Sequence, residues 1–132
     1  MPALRINIAI DQKGAIFSIA QTRAAGRRMV TSMNDLIAQE GVNRVHIHLR
    51  QVLQNPTGYY DSKIAVQRRS MYRGIWDSNV VYGGWLEGVT SRNAATRFKG
   101  YHTFRLVKQG LDKDSRKIVA PAIARYIQEM NS

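Results

Sequence analysis

The side chains best suited to recognition lie in residues 82–105. This stretch interleaves aromatic residues with basic ones, among them Trp85, Phe98, Tyr101 and Phe104 with Arg92, Arg97, Lys99 and Arg105. Trp, Tyr and Arg are enriched at the energetic centres of protein interfaces, and aromatic rings beside cations are also typical of surfaces that bind nucleic acids. Composition leaves both partners open. It also allows Trp85 and Phe104 to be ordinary core residues with solvated arginines around them.

Catalytic and metal-binding patterns are missing from the sequence. The three histidines, His46, His48 and His102, have no metal-ligand spacing with carboxylates, and there are no cysteines. The chain contains no phosphate-binding loop, no dinucleotide fingerprint and no nucleophile elbow. Its few acids stand alone among basic neighbours, so paired-carboxylate catalysis is unsupported. We therefore expect a protein that is not an enzyme and needs no cofactor or metal; a small hydrolase is an alternative that no group of residues supports.

Glu87 is the acid in the richest part of the chain. It follows Trp85 and Leu86 and precedes Arg92 and Arg97 in a segment flanked by glycines. An arginine can hold a carboxylate through two parallel hydrogen bonds and so impose one geometry. We predict that Arg92 and Arg97 fix this segment through Glu87, or through a carboxylate of an adjacent subunit.

The charge of the chain points to an anionic partner or neighbour. Twenty lysines and arginines oppose nine acids, which gives a formal net charge of +11. The basic residues are scattered and do not form one block, so they do not indicate a disordered basic tail. Solubility alone is the alternative explanation. The absence of cysteine fits folding in a reducing cytosol, and we expect neither a signal peptide nor a membrane span.

The elements that must position these residues follow from hydrophobic spacing. Leu4, Ile6 and Ile8 alternate with polar residues, which predicts a short strand followed by a turn at residues 11–14. Helical spacing predicts a long helix over residues 15–39 that ends at Gly41. Val45, Ile47 and Leu49 could equally form a strand, but the apolar face persists through residues 52 and 53, so a second helix is predicted over residues 42–53. The proline of the Asn55-Pro56 pair would stop it.

The second half of the chain is predicted to form a β-hairpin, a long loop and a helical C-terminal segment. Residues 59–67 alternate as a strand, a turn near Arg69-Ser70 reverses the chain, and residues 71–76 return antiparallel. Residues 80–100 have no sustained period and predict a long ordered loop, which is usually functional. Helical spacing resumes at Tyr101, with a break predicted at residues 112–114 and a new start at Ser115.

Short motifs in this half resemble a known family. They are Asn55-Pro56-Thr57-Gly58-Tyr59-Tyr60, Val81-Tyr82-Gly83-Gly84-Trp85-Leu86-Glu87-Gly88, Ser91-Arg92-Asn93 and Thr96-Arg97-Phe98-Lys99-Gly100-Tyr101. The chain resembles the tail-completion, or head–tail joining, neck proteins of long-tailed double-stranded DNA bacteriophages, especially those that infect actinobacteria. The resemblance covers roughly residue 42 to the C-terminus. The family often has proline where this chain has Gly84.

The resemblance implies an α+β fold, in which a small antiparallel β-sheet packs against a long helix of the N-terminal half and a C-terminal helix, as one domain over residues 1–132. It implies a virion protein, made in the host cytoplasm, that forms a ring, typically a hexamer. The ring would lie between the head connector or head-closure protein and the tail tube protein, with duplex DNA passing through it.

Alternatives to a neck ring are a tail terminator and a small non-specific DNA-binding protein. Trp85 in its glycine-flanked segment is expected to anchor a core or intersubunit contact together with Tyr82 and Leu86. The residues expected at the subunit interface are Tyr82, Trp85, Leu86, Glu87, Arg92, Arg97, Phe98 and Tyr101.

Overall fold

A computed structural model describes residues 4–8, 20–53 and 58–130 of the chain. The elements in chain order are β1 (Arg5–Ile8), α1 (Ala20–Val52), α2 (Tyr59–Ser62), β2 (Ala65–Arg69), β3 (Tyr72–Trp76), α3 (Gly83–Glu87), α4 (Ser91–Thr96) and α5 (Thr103–Met130). The expected turn at residues 11–14, the start of the first helix and the Asn55-Pro56 stop lie outside the described residues.

The three strands form one antiparallel sheet in the order β1-β3-β2. Ile6 and Val66 flank Ile75 of the central strand, and the Ile75 side chain is fully buried. The exposure of β1 alternates as its sequence predicts, because successive side chains of a strand point to opposite faces. Ser70 reverses the β2–β3 hairpin with a φ of 55°, at the predicted turn.

Two long helices complete the fold and pack against each other and the sheet. They are antiparallel, since Arg28 pairs with Glu129 near one end and His48 meets Thr103 at the other. The helices and the sheet enclose one apolar core, to which α1 contributes Val45 and Leu49. The α+β architecture expected from the sequence is confirmed.

Gly41 does not end the first helix, because α1 is continuous for 33 residues. A Cβ atom built on Gly41 would overlap with Cδ1 of Ile75 and lie 3.0 Å from Cδ1 of Leu111. The glycine therefore allows α1 to approach the sheet and α5 closely. The prediction of two helices separated at Gly41 is wrong, because a glycine needed for packing resembles a helix end in sequence.

The predicted break at residues 112–114 is also wrong, because α5 runs unbroken from Thr103 to Met130 and includes Pro121. Asp114 accepts a hydrogen bond of 2.9 Å from Arg44 on α1, so this acid connects the two helices instead of capping a new one. The exposed Pro121 lies within the same helix.

Two further predictions need correction in the middle of the chain. Residues 59–62 form the short helix α2, and β2 begins only at Ala65. Tyr60 is buried in α2, where its hydroxyl meets Asp77, so a contact distant in sequence overrides the local alternation. Residues 80–100 are not a long loop, because they contain α3 and α4. Helices of this length are too short to show a period.

Candidate functional site

The Trp85 segment, defined here as residues 82–101, begins against a buried acid. Asp77 is 2% exposed, and its carboxylate accepts hydrogen bonds from the Tyr60 hydroxyl at 3.0 Å and from the backbone N–H of Asn79 at 3.2 Å. Burial raises the pKa of Asp77 above its ordinary value. Burial and the neighbouring Asp77 charge likewise raise the pKa of Tyr60. Gly83 starts α3 beside this pair, where a Cβ would overlap with Oδ2 of Asp77.

Glu87 ends α3 and caps the start of α5. Its side chain is buried, and its two carboxylate oxygens accept hydrogen bonds from the backbone N–H groups of Phe104 at 2.9 Å and Arg105 at 3.0 Å. The first N–H groups of a helix lack partners within the helix and carry the positive end of its dipole. A carboxylate is therefore well suited to this position. Glu87 acts as a capping residue supplied from elsewhere in the chain.

Two glycines close the segment on itself. Gly88 and Gly100 have φ values of 97° and 88°, and a Cβ on Gly100 would overlap with Cα of Gly88. Beside them the N–H of Tyr101 donates to the carbonyl of Leu86 at 2.7 Å. Both glycines occupy the left-handed region and make close backbone approaches that a side chain would prevent. They hold together the two ends of residues 88–100, a loop that contains α4.

Asn93 fills the centre of this loop. Its Nδ2 group donates to the carbonyls of Trp85 and Phe98, each at 2.8 Å, and its Oδ1 atom accepts from the N–H of Thr90 at 3.0 Å. One amide side chain thus links the middle of α3, the N-cap residue of α4 and Phe98, which lies two residues after α4. The sequence carried a usable signal that was missed, because Thr followed three residues later by a polar side chain resembles a capping box.

Three aromatic rings pack along the outside of the loop. The ring centroids of Trp85 and Phe98 are 4.5 Å apart, and those of Phe98 and Tyr101 are 5.0 Å apart. The indole N–H of Trp85 donates to the Thr96 hydroxyl at 2.9 Å. All three rings are partly exposed. They form a small cluster beside the main core, as edge-to-face and tilted ring pairs commonly do.

The predicted arginine clamp is wrong for Glu87. Both Glu87 oxygens bind the start of α5, while Arg92 and Arg97 are exposed and form no ion pair within the described part of the chain. Arg97 ends α4 with a φ of 59°, a conformation that is uncommon outside glycine. The structure brings Trp85, Phe98 and Tyr101 together and leaves the two guanidinium groups in solvent.

The remaining predicted interface residues divide between surface and core. Tyr82 is 40% exposed and its ring packs against Tyr60 at 5.8 Å, while its neighbour Val81 is 82% exposed. Tyr59 of α2 is also exposed, and the Lys63 ammonium lies 5.2 Å from its ring centroid. Leu86, in contrast, packs against the main core. We call the exposed residues Tyr59, Val81 and Tyr82 the tyrosine patch.

Metal and membrane sites find no support among residues 4–8, 20–53 and 58–130. No cluster of three or more potential metal ligands occurs there. Two of the histidines have local partners: His46 contacts the Asp61 carboxylate, and Nδ1 of His48 lies 2.8 Å from the Thr103 hydroxyl. Over the same residues, no helix is sufficiently long and apolar to cross a bilayer.

Comparisons of the chain with protein-family models, with curated proteins and with solved structures each give no match.

Proposed function

We propose that this chain is a structural subunit of a bacteriophage neck. In this proposal it forms a ring, hexameric in the simplest case, that joins the head connector or head-closure protein to the tail tube protein and lets duplex DNA pass. Its place would be the virion, after synthesis in the host cytoplasm. The support comes from the motif resemblance and from an α+β fold with the expected parts.

One observation carries the proposal: the motif residues make their hydrogen bonds and close contacts within the chain itself. Glu87 caps α5, Asn93 bridges three backbone groups, and Gly88 and Gly100 bring two strands of backbone together. A catalytic motif would instead aim polar groups at a substrate cavity. Residues that build a rigid, shaped surface suit a protein that acts through assembly.

A ring also needs two different surfaces on each subunit, because a head-to-tail contact joins unlike patches. Among the described residues, two groups of exposed apolar side chains could supply these patches. One is the tyrosine patch, and the other lies on the C-terminal half of α5 at Ile123 and Ile127, which are 38% and 53% exposed. Exposed apolar residues that lie together commonly mark protein contacts. We propose that these two patches contact each other across the boundary between neighbouring subunits.

The test is the oligomeric state of the purified protein without DNA, measured by light scattering and native mass spectrometry. We expect a ring-sized oligomer, and Val81→Asp should reduce it to smaller species. Val81 is almost fully exposed, so this change leaves the fold intact. Asn43→Asp, on the exposed face of α1, is the matched control. A wild-type monomer that neither assembles on tails nor supports head–tail joining would refute the proposal.

The charge of +11 favours a second candidate, a small DNA-binding protein that recognises no sequence. It differs from the first in what drives assembly. A neck subunit should form its ring without DNA, whereas a DNA-binding protein of this kind would cluster only on DNA. A tail terminator would share the ring and differ in its neighbours, which images of the assembled neck would distinguish.

A further inference from the structure

Almost all acids among the described residues have a partner within the molecule. In the described residues, Asp112 is the acid without such a partner. The others pair as follows: Asp35 with Arg73, Glu40 and Asp114 with Arg44, Asp61 with His46, Asp77 with Tyr60, Glu87 with the start of α5, and Glu129 with Arg28. The excess positive charge is therefore carried by the exposed basic side chains that pair with none of these acids.

A dense group of such side chains lies on residues 105–117 of α5. Five basic residues are exposed there and form no ion pair within the described chain: Arg105, Lys108, Lys113, Arg116 and Lys117. We call them the α5 basic face. At 1.5 Å per residue they span about 18 Å. Arg105 and Arg116 lie within about 20° of each other around the helix axis, and the lysines flank them.

This face points away from the rest of the fold. The opposite side of the same helix half buries Phe104, Val107 and Leu111 in the core. Asp114, the second acid of this half, turns toward α1, where Arg44 holds it at 2.9 Å. Asp112 is thus the one acid left to offset five cations among the described residues of this region.

The composition of the face favours a phosphate backbone over a protein as its partner. Lysine is depleted at the centres of protein interfaces, which rely on aromatic and apolar anchors. Three of the five basic residues are lysines, and Leu106 is the large exposed apolar side chain beside them. Phosphate contacts need only positive charge within reach, and they carry no sequence information. The apolar half of α5, at Ile123 and Ile127, has the opposite character.

We propose that the α5 basic face binds the sugar–phosphate backbone of duplex DNA without reading its sequence. This inference rests on the proposed function, in which DNA passes through the assembled ring, and it names the surface that meets the DNA. Binding by one chain is weak and falls as salt rises, because it depends on the release of counterions from DNA. In a ring, several copies of the face would act on one duplex.

The experiment compares two triple variants with the same loss of charge. Arg105→Gln/Lys113→Gln/Arg116→Gln removes the centre of the α5 basic face. Arg27→Gln/Arg68→Gln/Arg69→Gln removes three other exposed arginines that form no ion pair within the described residues. Each variant and the wild type are titrated with a fluorescent random-sequence duplex at several NaCl concentrations. Circular dichroism checks the fold and light scattering the oligomeric state of each.

We expect the α5 variant to lose about tenfold or more in affinity at low salt, with the slope of log K against log salt shallower by about 2 to 3. The control should change by less than about threefold. Equal losses in both would show that net charge alone drives binding and would overturn the proposal. Wild-type DNA binding by the α5 variant, combined with failed head–tail joining, would also overturn it and indicate an acidic protein partner.

Failure of the proposed function gives a different result. A wild-type protein that stays monomeric and joins nothing, yet shows the α5-dependent salt slope, would leave the DNA surface standing without the ring. If the triple variant does not fold, Arg105→Gln/Arg116→Gln is compared with Arg68→Gln/Arg69→Gln by the same titration, with a slope change of about 2 expected.

Discussion

Glu87 accepts a hydrogen bond of 2.9 Å from the backbone N–H of Phe104, 17 residues further along the chain. This contact fixes the end of α3 to the start of α5. The backbone N–H of Arg105 donates to the second oxygen of the same carboxylate. The Trp85 segment is therefore attached to the longest helix of the C-terminal half. A surface built on it is positioned by the core of the protein.

Glu87→Gln should lower the free energy of unfolding by about 2 kcal/mol. The amide keeps one acceptor oxygen, loses the charge that complements the helix N-terminus and leaves one buried N–H poorly paired. Asp112→Asn, at an exposed acid of the same helix, is the control and should change stability by less than about 0.5 kcal/mol. Chemical denaturation measures both. Equal stability of the two variants would exclude the capping role.

The α+β architecture was predictable where its cues are local. Ile6 and Ile8 alternate with polar residues, and Ser70 lies where the hairpin turns, so β1 and the hairpin turn follow from period and turn chemistry. The helix ends were harder. Gly41 has the composition of a cap but serves a close contact with Ile75, and no local pattern distinguishes these two uses of glycine.

The Trp85 segment was predictable in its composition and not in its bonding. Aromatic and basic residues mark it as a surface, and its glycines mark sharp backbone turns. The partner of Glu87 was not predictable, because Arg92 and Arg97 are closer to it in sequence than Phe104 is. A helix N-terminus attracts a carboxylate through its backbone, which no side-chain pattern records. The capping-box spacing of Thr90 and Asn93 could have indicated the start of α4, but the bonds from Asn93 to the carbonyls of Trp85 and Phe98 go to backbone atoms, which no side-chain pattern records.

Asn93→Asp should loosen the loop of the Trp85 segment. The two shapes are nearly identical, but a carboxylate cannot donate to the carbonyls of Trp85 and Phe98 and would repel them. We expect a loss of about 2 kcal/mol or more in unfolding free energy. Faster hydrogen exchange at the Tyr101 amide, which bonds to Leu86, should accompany it. Asn43→Asp, at an exposed site, should leave both unchanged; unaltered exchange in Asn93→Asp would contradict the bridging role.

Gly88→Ala and Gly100→Ala should each be strongly destabilising, by about 3 kcal/mol or more, since both combine a positive φ with an overlap of backbone atoms. Gly58→Ala separates these two causes. Gly58 has a φ of 83° but nothing within 4 Å of the added Cβ, so it should cost only about 1 kcal/mol. Thermal and chemical unfolding of the three variants measure the difference. Equal effects at Gly58 and Gly100 would show that the close approach contributes nothing.

Arg92→Lys and Arg97→Lys should leave the stability of the isolated chain within about 0.5 kcal/mol of wild type, because both guanidinium groups lie in solvent. That Arg92 and Arg97 bind a carboxylate of an adjacent subunit stays a prediction, and the same two variants test it. Lysine cannot reproduce a two-bond arginine contact, so a loss of head–tail joining with unchanged stability would indicate such a contact. Normal joining by both variants would refute it.

Asp77 should make the stability of the protein fall as pH rises through the acid range. Because burial raises its pKa in the folded state, the folded protein holds the proton more tightly than the unfolded chain does. The contribution is fully present below the ordinary carboxyl pKa of 3.8 and is lost as pH rises through the folded-state pKa.

Asp77→Asn removes this titration while keeping an acceptor for the Asn79 N–H. The difference in unfolding free energy, variant minus wild type, should therefore increase from pH 3.5 upward and level off once the folded Asp77 is ionised. Asp112→Asn, at an exposed acid, is the matched control for the replacement of a carboxylate by an amide. A flat or decreasing difference for Asp77→Asn would mean that its hydrogen bonds from Tyr60 and Asn79 outweigh the effect of burial.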